Sequence, residues 1–79
     1  MVGSAIPPVE KQKEQLLDYC QRQAPKISLI GLAAGCLGWW ATLPGTESLL
    51  EELVTEGKLR HATKAELTKQ GVRFGYLPV

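Results

Sequence analysis

The sequence predicts a mainly α protein with a small antiparallel β-hairpin, an α+β fold in which three helices precede two strands. Apolar residues recur at helical spacing in three runs before Gly57, and proline or glycine bounds each run. After Gly57 the spacing changes to alternation, first in Lys58–Ala62 and again, more strongly, in Val72–Leu77. Seventy-nine residues, 44% of them hydrophobic, suffice for one compact core and leave no room for a second domain. The expected organisation is a flexible N-terminal tail over 1–7 and a single domain over 8–79.

Helix one is expected from Pro8 to Ala24, because proline in a first turn sacrifices no internal hydrogen bond and Pro25 stops the run. Val9, Leu16, Leu17, Cys20 and Ala24 mark its apolar face. Ser28 is the expected N-cap of helix two, whose buried face is Leu29, Ile30, Leu32, Ala33 and Cys36. Gly31, Ala33, Ala34 and Gly35 keep this helix slim enough for close approach, and Gly38 breaks it. Thr42 caps helix three, Pro44 suits its first turn, and Leu43, Thr46, Leu49, Leu50, Leu53 and Val54 repeat every three to four residues up to Gly57. In the strand region Val72, Phe74 and Tyr76 share one side. Between the strands Thr63-Lys64-Ala65-Glu66 fits a capping box, predicting a single helical turn that ends at Gly71.

Net charge is +1 with a pI near 7.8, which excludes a broadly basic chromatin-type protein and an acidic disordered tail. Two cysteines and one histidine fall short of the four close ligands a structural zinc site needs, so no metal and no cofactor is expected. Cys20 and Cys36 both lie in apolar runs and read as reduced core thiols of a cytoplasmic protein. His61 sits beside Arg60 with no second ligand in view and reads as structural or solvent-facing. With no phosphate loop and no nucleophile motif, no catalytic residue is assigned and the chain is read as a non-enzyme. The twenty residues from Ile27 to Thr46 carry no charge and include Gly31-x-x-x-Gly35. Their glycines, Pro44 and central Trp39-Trp40 argue for turns rather than a membrane span.

The order of elements resembles the winged helix-turn-helix family. Leu50-Glu51-Glu52-Leu53-Val54-Thr55-Glu56-Gly57-Lys58-Leu59 looks like the exit of that family's third helix into its first wing strand. Leu32-Ala33-Ala34 looks like the small-residue centre of its second helix, and Gly71-Val72-Arg73-Phe74-Gly75-Tyr76 like the return strand of the wing. The resemblance spans about residues 8–78. It departs in the long stretch from Gly38 to Leu49 and in the long wing loop from Thr63 to Gly71. It implies a small DNA-binding protein, a transcriptional regulator or DNA-associated accessory protein, whose third helix meets the major groove and whose wing meets the backbone of double-stranded DNA.

Charge divides the chain unevenly. Residues 57–79 hold Lys58, Arg60, Lys64, Lys69 and Arg73 against Glu66 alone, a net +4, and residues 1–56 carry a net −3. The expected DNA contacts are therefore phosphates at Lys58, Arg60, Lys64, Lys69 and Arg73, with Thr42, Thr46 and Ser48 at the groove. The third helix offers four acids and no base from 47 to 56, a poor surface for phosphate. That favours an alternative: a protein-interaction module anchored on Trp39 or Trp40 and rimmed by Glu47, Glu51 and Glu52. A domain this small also gains stability by pairing, so a homodimer is a further expectation.

Overall fold

A computed structural model describes residues 6–79 and shows a small α+β protein, mostly helical. Its elements are α1 (Val9–Gln23), α2 (Ile30–Leu37), α3 (Leu43–Thr55), β1 (Leu59–His61), α4 (Lys64–Gln70) and β2 (Tyr76–Pro78). The expected tail falls mainly on residues 1–5, which lie outside the described residues; 6–8 carry no regular structure.

The core forms where the three long helices meet the strands. Leu16 and Cys20 from α1, Ala33 from α2, Leu50 and Leu53 from α3, Leu59 from β1 and Tyr76 from β2 are all buried there. Fully burying a leucine contributes about 1.5–3 kcal/mol, so α3, with three buried leucines, is the best-anchored element. Thr42 starts α3 as expected, its Oγ1 accepting the Gly45 N–H at 3.0 Å. At the far end Gly57, at φ 79°, turns the chain from α3 toward β1.

The two strands pair antiparallel, with Leu59 opposite Pro78, Arg60 opposite Leu77 and His61 opposite Tyr76. On its other edge β2 is bridged by Ser28, which exchanges both backbone hydrogen bonds with Tyr76 at 2.9 and 3.0 Å. Tyr76 is therefore flanked on both sides, which buries it completely. A glycine makes this closeness feasible: a Cβ at Gly75 would overlap Ile27 Cγ2 and lie 2.7 Å from the Ser28 carbonyl oxygen.

Several expectations are corrected. Ser28 does not cap α2; it bridges β2, and Leu29 occupies the cap without a side-chain bond. On α2 the core takes Ala33, Ala34 and Leu37, leaving Leu32 and Cys36 exposed, so only Cys20 is a core thiol. The outer members of two other apolar faces, Val9, Ala24 and Leu43, are exposed too. The β1–β2 hairpin is not a simple one. Its loop holds α4, two turns long, with the Thr63–Glu66 capping box intact and Gly71 at φ 70° as its end. The second strand is short and late, so Val72 and Phe74 lie in the approach to β2 rather than in it.

Candidate nucleic-acid interface

One side chain fastens the end of the molecule built by α4 to the α1–α2 connection. Gln70 accepts the Ile27 N–H on Oε1 at 2.9 Å and donates from Nε2 to the Pro25 carbonyl at 2.9 Å. A single amide thus satisfies two backbone groups of the α1–α2 connection and fastens α4 against it. Lys26 lies inside the segment so held, Lys69 is the neighbour of Gln70, and Arg73 sits in the loop that Gly75 presses onto Ser28. Lys64 opens α4, about 10 Å of helix away at most. All four side chains belong to exposed residues.

Ion pairing separates these cations from most of the others. Lys13 pairs with Glu52 and Glu56, Arg22 with Asp18, Lys58 with Glu56, and Arg60 with Glu66. Among the described residues, Lys11, Lys26, Lys64, Lys69 and Arg73 have no carboxylate within 4.0 Å. Four of these five belong to the α4 end.

Arg60 has a different position. Its guanidinium meets Glu66 through two hydrogen bonds of 2.8 Å, a planar fork matched to a carboxylate. Together with the Thr63 backbone N–H, Arg60 holds the Glu66 carboxyl down at about 2. The pair ties β1 to the first turn of α4. Lys58 leans on Glu56 at 3.5 Å, a looser and exposed contact.

Beside this end, α3 meets the sheet in a cluster that local sequence pattern does not reveal. Glu51 Oε2 accepts the Tyr76 hydroxyl at 2.5 Å and lies 2.7 Å from His61 Nε2. The Tyr76 bond and then the His61 contact hold the Glu51 carboxyl below its ordinary range. Burial, followed by the bond to Glu51, pushes the Tyr76 phenol far up. Phe74 completes an aromatic group, its ring 5.6 Å from His61 and 5.3 Å from Tyr76 in an edge-on contact.

The expected site residues thus divide. Lys64, Lys69 and Arg73 stand free at the α4 end; Lys26, joined to them by tertiary structure, was not anticipated. Thr46 is 1% exposed and faces the core, so it offers almost no surface to a nucleic acid. Thr42 is exposed but engaged in its cap, and Ser48 is exposed on α3. Of the two tryptophans, Trp39 is 83% exposed, and Trp40 is half-buried against the core. Glu47 and Glu52 are exposed, whereas Glu51 is half-buried in its cluster.

Cavities open on the surface of the described residues. One, of about 220 Å³, is lined by Gln12, Leu37, Trp40, Thr42 and Thr46; another, of about 320 Å³, lies between α1 and α3. Among the described residues no three potential ligands gather as a metal site would need, and no helix is long and apolar enough to cross a membrane. No family model, no curated protein and no solved structure matches the chain.

Proposed function

We propose that this chain is a winged-helix-like module that binds double-stranded DNA, gripping the phosphate backbone with its α4 end. The observation that carries the reading is the segregation of unpaired cations: Lys26, Lys64, Lys69 and Arg73 lack carboxylate partners, while Arg60 is consumed internally by Glu66. The order of elements supports it in part, since three helices precede the antiparallel β1–β2 pair, although α4 lies between the two strands. The outer face of α3 is acidic, so the grip comes from the wing side and reads sequence weakly, with Ser48 and Thr42 as the neutral groups nearest the α3 N-terminus. Fluorescence anisotropy with a labelled duplex at about 50 and about 200 mM salt tests this, because phosphate contacts weaken steeply over that range. Replacing Lys64, Lys69 and Arg73 together by glutamine should cut both the affinity and the salt slope. Unchanged duplex affinity in that variant would overturn the proposal.

A second reading, a protein-interaction module, is favoured by one observation. Trp39 is 83% exposed within a stretch without charge, and tryptophan is among the residues enriched where partners dock.

A further inference from the structure

The cavity of about 220 Å³ beside the start of α3 has walls from three elements. Gln12 comes from α1, Leu37 from the end of α2, and Thr46 and Leu49 from the first half of α3. Trp40 closes it from the loop between α2 and α3. A Cβ at Gly38 would lie 2.8 Å from Trp40 Nε1, so a glycine there, at φ 147°, is what admits the indole. Gln12 is fastened as well, its Nε2 donating to the Pro7 carbonyl at 2.6 Å.

One group in this wall lacks a partner. Thr46 is 1% exposed, and its Oγ1 is buried without a hydrogen bond. Native structures leave few such groups, and each calls for a reason. A threonine on a helix divides between two χ1 rotamers, so a single bond rotation presents this hydroxyl to whatever fills the cavity. The rest of the lining sets the chemistry of the occupant. Nothing in it is ionisable, so a charged molecule would lose its water without gaining a counter-charge. Leu37, Leu49 and the Trp40 ring favour an apolar, ring-shaped body. A cavity of about 150 Å³ accommodates benzene, and this one is larger by the space of a small substituent. The N-terminus of α3, the positive end of the helix dipole, favours an oxygen beside Thr46. We infer that this cavity binds a neutral molecule made of one aromatic ring with an oxygen substituent, the ring against Trp40 and the oxygen on the Thr46 hydroxyl. None of the four α4-end cations takes part, so the site stands or falls apart from nucleic-acid binding.

Phenol and toluene are matched probes, since they differ only by a hydroxyl against a methyl of similar size. NMR titration of the full chain at about pH 7, where phenol is neutral, follows the Trp40 indole N–H and the Thr46 methyl. Phenol should bind with a dissociation constant of about 1 mM. Thr46→Val replaces the hydroxyl by a methyl of nearly the same shape, and it should lower the phenol-to-toluene affinity ratio about tenfold. Thr46→Ser keeps the hydroxyl and should leave that ratio within about twofold. With no probe present, Thr46→Val should melt about 4 °C higher or more, because it removes a buried hydroxyl that has no partner. No shift at Trp40 or Thr46 with either probe up to about 5 mM would overturn the inference. An unchanged ratio in Thr46→Val would sink it too, by showing that the hydroxyl takes no part. A lower melting temperature for Thr46→Val would do the same, because the hydroxyl would then have its partner within the chain.

Discussion

The phenol of Tyr76 and the carboxylate of Glu51, twenty-five residues apart, share a hydrogen bond of 2.5 Å that joins β2 to the middle of α3. Tyr76 has no exposed surface, and Glu51 is half-buried with His61 on the same oxygen. Tyr76→Phe keeps the ring and its contact with Phe74 but removes the donor. The freed carboxylate regains water on its open side, so the expected loss is about 1 kcal/mol rather than the larger penalty of a sealed group. Urea unfolding should show a lower midpoint with an unchanged slope, and a melting temperature lower by about 4–8 °C. No change would mean that the bond is fully replaced by solvent.

Stability should fall in acid, and Glu66 should lead the fall. Its folded value, about 2, lies below the ordinary 4.5, so the unfolded chain takes up the proton first. The contribution is complete above pH 4.5 and is lost as pH drops toward 2. Glu51 and Glu56, both held low, act with the same sign. Melting temperature followed from pH 6 to about pH 2 should show this decline, and Glu66→Gln should be less stable at pH 6 yet flatter in acid. A parallel curve for the variant would remove Glu66 from the account.

Arg60 and Lys69 should behave as opposites. Arg60→Gln breaks the fork to Glu66 and should destabilise the fold, while leaving the salt dependence of duplex binding almost unchanged. Lys69→Gln should leave stability within about 0.5 kcal/mol and lower the salt slope by about 0.9. Thermal melts and anisotropy titrations on the same two variants decide the matter. A slope change at Arg60 and none at Lys69 would put the phosphate contacts on β1 instead of α4.

Glycines of two kinds should respond with opposite signs to alanine. Gly71 ends α4 at φ 70°, where a Cβ costs about 1–2 kcal/mol, so Gly71→Ala should lower the melting temperature. Gly31 is helical and faces open space, so Gly31→Ala should stabilise by up to about 1 kcal/mol. Calorimetry of both variants in dilute protein is the check. A lowered melting temperature for both would contradict the open space around Gly31.

Much of the fold is legible because its causes are local. Pro25 halts α1, Thr42 caps α3 three residues from its partner Gly45, and Thr63 with Glu66 closes a reciprocal cap around one turn. The candidate site is legible only by half. Lys64, Lys69 and Arg73 stand out as a charge cluster, but nothing near Lys26 in sequence announces that Gln70 fastens its segment to α4. Nor does any local pattern show that Arg60 is spoken for while Lys69 is free.

By itself the sequence determined that α1 stops before Pro25, that Thr42 caps α3 and that Thr63 caps α4, since propensity, spacing and capping act within one or two turns. Tertiary structure alone decided which faces the elements bury. Ala33 lies inside and Leu32 outside because α2 turns the side that carries Ala33, Ala34 and Leu37 toward α1 and α3. Trp39 is exposed while Trp40 covers the core, although they are neighbours with the same side chain. Tyr76 became the centre of the sheet because Ser28 arrived on one side and His61 on the other, from chain segments forty-eight and fifteen residues away. Such contacts depend on the chain's return across long separations, and their partners have no local signature in the residues that make them.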